Sequence, residues 1–271
     1  MSLLRRHYAL PAEHGSWIWW IGPFVIGLAA ARRVPVETLW LLAAVLSGFL
    51  LRQPVAILVK ALAGRRPKYD LKPALIWSGI YATFGTVAVA GLIFAGHARV
   101  LLLAIPGVLV FAWHMELIRR RADRGQMGIE IVGTGVLALA APGAYNVAGG
   151  ESTLLAGWLW SLCWLQSAAS VLLVYARLEQ RGWKVAPSLA SRLSGLRRAY
   201  LYHAFNLAAA VALAALGWIP WLWPLASTLM LLDLIDATFR PSIGVRPTRI
   251  GLRQLVASTT FVVLVCLGFL V

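Results

Sequence analysis

Residues 152–198 read STLLAGWLWSLCWLQSAASVLLVYARLEQRGWKVAPSLASRLSGLRR. The first half is an apolar run broken only by serines, one threonine, one cysteine and one glutamine. The second half carries Arg177, Arg181, Lys184, Arg192, Arg197 and Arg198. About 20 apolar residues are what a helix needs to cross a hydrocarbon core about 30 Å thick. Lipid offers no hydrogen bonds, so the run must bond its own backbone and is a helix. Cations crowded beyond one of its ends mark that end as cytoplasmic.

The rest of the chain repeats this pattern. Of 271 residues 60% are hydrophobic and 13% charged, with a mean hydropathy of +0.76. Soluble domains carry about 25% charged residues, so the excess of apolar surface points to lipid as solvent. Apolar runs place nine spans near 16–31, 37–60, 74–95, 100–118, 129–148, 153–175, 200–217, 219–236 and 253–271. The eighth is short and interrupted by Pro220 and Pro224. The expected fold is therefore all-α, a polytopic transmembrane bundle forming a single integral membrane domain over 1–271.

The net charge of +15 would suggest nucleic acid if it lay on a soluble surface, but its placement excludes that partner. Of the 25 Lys and Arg, 21 fall on one side of the nine spans: before the first and after the second, fourth, sixth and eighth. The opposite side has Arg32, Arg33 and Arg99, and Arg52 lies inside the second span. This predicts a cytoplasmic amino terminus and an external carboxyl terminus. The first apolar run lacks a small-residue cleavage site and reads as a retained span. Cys163 and Cys266 lie within spans without metal-ligand spacing. Trp17, Trp19, Trp20, Trp158, Trp160, Trp218, Trp221 and Trp223 fall at span ends, where an interfacial aromatic belt is expected. In the connection 176–199, Leu189, Leu193 and Leu196 recur at helical spacing. They predict a short amphipathic helix at the membrane surface or over a site.

Ionisable residues within spans are costly and point toward function, at about 2.5–3.5 kcal/mol each at a helix centre. Arg52 and Gln53 precede Pro54 in the second span, and Glu130 begins the fifth. Both Arg52 and Glu130 need partners outside their own helix, which favours a polar cavity. Glu116 can reach Arg119 or Arg120, and Asp236 can reach Arg240, as local pairs. Asp233 lies one turn before. Glu13 precedes the first span, where a helix dipole favours a carboxylate. His14, His114 and His203 sit on three different helices, a poor spacing for metal ligation. No nucleophile elbow, phosphate loop or zinc motif occurs. The sequence calls for no metal and no cofactor.

The segment LPAEHGSWIWWIGPFVIGLAA, residues 10–30, resembles the opening of the YwiC-like family of bacterial membrane proteins, and IWSGIYATFG, residues 76–85, resembles its third span. That resemblance implies a multi-pass protein of the inner (plasma) membrane, with no activity to carry over. A more distant architectural resemblance is to the UbiA prenyltransferases, whose aspartate-rich motifs at helices 2 and 6 bind magnesium and an isoprenoid diphosphate. Here Arg52 and Gln53 stand where those enzymes have Asn-Asp, and Ala56 and Lys60 replace further aspartates. In the second motif Tyr175 keeps the frame and Glu179 falls at the first carboxylate, while Arg181, Gly182 and Trp183 replace the others. Magnesium needs hard oxygen ligands; Arg52, Lys60, Arg177, Arg181 and Lys184 could instead meet an anionic headgroup directly.

The resulting expectation is a degenerate UbiA-like cavity, open to the cytoplasmic leaflet. It would hold an isoprenoid or other anionic amphiphile, with membrane lipids as the surrounding partners and protein partners left open. An active prenyltransferase, a transporter and a structural subunit of a membrane complex remain alternatives.

Overall fold

The structure, a computed structural model, describes residues 6–11, 14–122 and 127–271, leaving aside the side chains of Arg6 and His14. The described residues are helical, with no strand. The helices are α1 (Arg6–Ala9), α2 (Ile18–Ala31), α3 (Thr38–Leu62), α4 (Leu71–Phe94), α5 (Ala104–Arg119), α6 (Met127–Leu137), α7 (Ala140–Val147), α8 (Thr153–Gln180), α9 (Leu189–Ala215), α10 (Leu222–Phe239) and α11 (Pro247–Leu270). Seven segments are long and apolar enough to cross a membrane: Thr38–Leu62, Lys68–Phe94, Ala98–Arg119, Met127–Val147, Thr153–Gln180, Leu222–Phe239 and Pro247–Leu270. Two of the nine expected spans differ. The first falls in the shorter apolar helix Gly15–Ala31. The seventh lies in the second half of α9, whose Tyr200, Tyr202, His203 and Asn206 dilute its apolar character.

The chain separates into two compact units, Met1–His14 with Val34–Ile129, and Gly15–Arg33 with Glu130–Val271. In the first unit α3 and α4 form an antiparallel hairpin. The Trp40 ring lies flat against Gly91, where any Cβ would come within 2.4 Å of the indole. Pro54 sits inside α3 without ending it. The short α1 is tied to the end of this hairpin by side chains. The Tyr8 hydroxyl donates to Asp70 Oδ1 at 2.6 Å, Tyr81 donates to the Ala9 carbonyl at 3.0 Å, and Gln53 donates to the His7 carbonyl at 2.9 Å. Tyr8, Ile57 and Ala74 form a small apolar cluster beside these bonds.

In the second unit α2 runs through the core, with α7 on one side and α11 on another. Small residues make this possible, because without a hydrophobic drive between helices in lipid, close backbone approach supplies the packing. A Cβ at Gly27 would stand 2.2 Å from the Ala141 carbonyl oxygen of α7, and one at Gly22 would stand 2.7 Å from Val262 of α11. The fifth expected span is two helices. Pro142 has no N–H to give the Ala138 carbonyl and crowds it, and the helix breaks between Leu137 and Ala140. At the break the Leu139 N–H turns to Val136, and the carbonyl of Gly135 accepts the Trp160 indole N–H at 2.9 Å instead.

Other sequence expectations are corrected here. Pro224 does not interrupt the eighth span: it lies in the first turn of α10, where a missing N–H costs nothing. Leu189 and Leu193 do not belong to a separate surface helix, since α9 runs unbroken from Leu189 to Ala215 behind a Ser188 cap. Trp223 is not a belt residue. It is 1% exposed and meets Phe261 and Phe269 edge-on in the core of this unit. Trp158 stacks on Trp218, joining the start of α8 to the turn after α9.

Gly27→Ala should destabilise the protein by about 1–3 kcal/mol, because α2 and α7 must separate to admit the methyl group. Gly157→Ala, on an open face of α8 with nothing within 4 Å, should leave stability unchanged or raise it slightly. Thermal unfolding of both variants in detergent measures the difference.

Candidate functional site

The largest polar assembly of the second unit lies where α8 and α10 end and α9 and α11 begin. Arg177, in the last turn of α8, is 4% exposed. Its guanidinium donates to both the backbone carbonyl (3.0 Å) and Oδ1 (3.1 Å) of Asp233 on α10. Arg253 on α11 donates from Nε to the same Oδ1 at 2.7 Å, adds a short contact from its terminal nitrogen, and reaches Asp236 Oδ2 at 2.6 Å. One carboxylate oxygen thus gathers donors from two arginines on two helices. Charge-assisted bonds of this kind are about twice as strong as neutral ones. Asp236 keeps its expected partner Arg240 at 3.7 Å, but Arg253 is the closer one.

Neutral bonds extend the assembly. Gln180, 2% exposed, donates to the Ala237 carbonyl at 3.1 Å and accepts the Ser242 N–H at 3.2 Å. Arg192 donates to the Thr238 carbonyl at 2.8 Å, and the hydroxyls of Tyr200 and Thr238 are 2.7 Å apart. The Gly244 N–H donates to the Arg181 carbonyl at 3.2 Å, which joins the connection after α8 to the connection after α10. The basic connections after α8 and α10 therefore meet at one end.

Of the residues singled out from sequence, Arg177, Asp233 and Asp236 come together in this assembly. Tyr175, on α8, donates its hydroxyl to Glu130 Oε1 at 2.8 Å, so the first turn of α6 is also bonded within the unit. Glu179, Arg181 and Lys184 are exposed, and Glu179 makes no ion pair among the described residues. In the first unit, Arg52, Gln53 and Lys60 are half-buried on α3. Glu116 holds Arg119 at 2.6 and 2.7 Å and Arg120 at 2.5 Å, the local pairing its spacing suggests. Glu13 and the His14 side chain lie outside the described residues.

Sequence reasoning missed three participants. Arg253 counted only as one of many basic residues, and Gln180 and Asp70 were not singled out. Asp70 is 5% exposed and accepts from Tyr8 while pairing with Arg66 at 3.0 Å. The i,i+4 spacing of Arg66 and Asp70 was a visible signal. Nothing in the sequence points from Asp233 to Arg253, because only the fold makes them neighbours.

Both carboxylates of the assembly are fully engaged by guanidinium groups, while the Nε atoms of Arg177 and Arg192 are buried without a hydrogen-bond partner among the described residues. Among the described residues no three His, Cys, Asp or Glu side chains stand where they could hold a metal ion together. The remaining cations of this end, Arg181, Lys184, Arg197, Arg198, Arg246 and Arg249, are exposed and unpaired among the described residues.

A family model described as YwiC-like protein matches residues 10–145. No curated protein and no solved structure matches the chain, so the likeness to the UbiA enzymes finds no support. The matched stretch contains Arg52, Gln53, Lys60, Glu116 and Glu130 and ends before the Arg177–Asp233–Arg253 assembly.

Removing the Asp233 carboxylate strands Arg177 in a buried place. Asp233→Ala should cost about 3–5 kcal/mol, and Asp236→Ala, at a more exposed carboxylate, clearly less. Replacing the pair together, as Arg177→Met with Asp233→Leu, should recover part of the loss. Denaturation of the three variants in one detergent gives the ranking.

Proposed function

We propose a function for this chain, which belongs to the YwiC-like protein family: it is a nine-pass membrane protein that holds an anionic amphiphile by its headgroup at a basic cytoplasmic face. The observation that carries this reading is the group of six exposed cations, unpaired among the described residues, beside the Arg177–Asp233–Arg253 assembly. The carboxylates of that end are occupied, so its surplus of positive charge is available to an outside anion. Each Lys or Arg near an anionic lipid surface contributes about 1 kcal/mol, and arginine forks match phosphate or carboxylate oxygens two at a time. A neutralised, bonded core of helix ends beneath those cations keeps them from being drawn inward.

Nine passes are supported by the second unit itself. The α9 helix starts beside Thr238, at the basic end, and its following turn brings Trp218 onto Trp158, at the start of α8. It therefore runs the length of α8 in the opposite direction. The α2 helix ends where the Arg32 guanidinium donates to the Phe269 carbonyl at 2.6 Å, beside the last turn of α11. Counting both with the seven apolar segments makes nine. In the first unit Arg65 donates to the Ile118 carbonyl, which gathers the basic connection after α3 and the Arg119–Arg121 turn at one end of that unit. By the positive-inside bias these ends face the cytoplasm, with the carboxyl terminus outside. The inner (plasma) membrane of a bacterium is the membrane proposed.

Reporter fusions at Met1 and Val271 should give cytoplasmic and external signals respectively; two signals from one compartment would refute the nine-pass topology. In vesicle reconstitution, phosphatidylglycerol should raise the unfolding temperature above that in phosphatidylcholine, and the increment should shrink with salt. Changing Arg181, Lys184, Arg197 and Arg198 together to Gln should remove most of that increment. A response equal in the two lipids would sink the headgroup reading.

A further inference from the structure

A second polar feature of the same unit lies far from the basic end. At 1.5 Å per residue, Gln166 stands about 20 Å from either end of α8, halfway along a helix that crosses the membrane. Its side chain is 7% exposed, and neither its amide nitrogen nor its amide oxygen has a hydrogen-bond partner. Burying an amide without partners costs about 2–7 kcal/mol depending on the reference state, and lipid gives no relief. An apolar residue at position 166 would avoid that cost entirely.

Gln166 lines a small cleft of about 30 Å³, enough for one or two water-sized groups by the usual cavity threshold. Three helices build it. From α2 come Trp19 and Pro23, from α8 Gln166 and Ser170, and from α11 Ser258 and Phe261. Trp19 Nε1 is buried without a partner. Ser258 accepts from Gln254 at 3.1 Å and so retains its own hydroxyl proton to donate. The cleft thus offers donors from Trp19, Gln166 and Ser258 and an acceptor on Gln166, against an apolar wall. None of its lining residues is charged.

We propose that this cleft is a binding site among the membrane helices for the uncharged polar head of a lipid, a single hydroxyl or carbonyl whose hydrocarbon tail leaves through the open side. The absence of any charged residue in the lining excludes a phosphate or carboxylate head, since a lone ion here would have no counter-charge. A neutral hydroxyl or carbonyl is the kind of head that enters the apolar part of a bilayer at modest cost. It can accept from the indole and the amide nitrogen at once, and a hydroxyl can also donate to the amide oxygen. The site stands on residues separate from the basic cytoplasmic face, so the two readings succeed or fail independently.

The test uses the full chain in nanodiscs and hexadecanol carrying a diazirine near its hydroxyl. Photolysis and peptide mapping should place cross-links on the segments around Trp19 and Phe261, in competition with plain hexadecanol. Gln166→Leu should lower this labelling about tenfold, the equivalent of about 1.4 kcal/mol of lost hydrogen bonding. The same variant should melt at or above the wild-type temperature, because it removes a buried amide that no neighbouring side chain or carbonyl answers. A Gln166→Leu protein that does not purify as a folded species is replaced by Ser258→Ala, with about a threefold drop expected. The proposal is overturned if the matching diazirine alkane labels the cleft equally, or if the palmitate analogue does. Labelling unchanged in the variants, or no cross-link at these segments, as for a cleft that holds water alone, also overturns it.

Discussion

Arg177 is a cation held almost wholly away from solvent, and the second unit is arranged around the need to neutralise it. Its partner Asp233 sits on α10, and Asp233 in turn draws in Arg253 from α11. Three helix ends are pinned by one carboxylate. Desolvating two charges costs several kcal/mol for each, so such a cluster is weak evidence for stability as such. Its consequence is register: α8, α10 and α11 cannot slide past one another without stranding a buried charge. Gln180 and Arg192 then use the same end to satisfy carbonyls at the close of α10, where helix termini leave acceptors without donors.

Farther along the same helices the packing is set by size. Glycine at 22 and 27 lets α2 approach α11 and α7 at distances no side chain would permit. The Pro142 break allows α7 to present its small residues to α2, and Trp160 satisfies a carbonyl that the break releases. In the first unit a ring against a glycine, Trp40 on Gly91, plays the corresponding part in the α3–α4 hairpin. At the basic end each carboxylate has guanidinium partners, whereas at the centre of α8 Gln166 carries an amide nitrogen and oxygen that no neighbour answers.

Helical class and most spans were legible because the length and polarity of a membrane segment are local properties. The Glu116 pair with Arg119 and Arg120 was legible for a similar reason, being three and four residues apart on one helix. The limits appear where a residue's surroundings come from elsewhere in the chain. Span-end position suggested an interfacial Trp223, yet it is among the most buried side chains, since α11 folds Phe261 and Phe269 around it. Pro224 suggested an interruption from its identity alone, and its position in the first turn made it harmless. Gln166 looked like one polar residue tolerated in an apolar run, and only the neighbouring helices show that it was left without partners.

By itself the sequence determined that the chain is a helical membrane protein, because lipid leaves the backbone no alternative to helix. It also determined which residues would be expensive to bury. Tertiary structure alone decided how that expense is met: that Asp233 answers Arg177 and Arg253 across 56 and 20 residues of chain, and that Trp19, Gln166 and Ser258 converge from three helices on one cleft. The physical reason is that hydrogen bonds and ion pairs act over about 3 Å. Which groups come that close depends on helix packing, a property no single stretch of sequence carries.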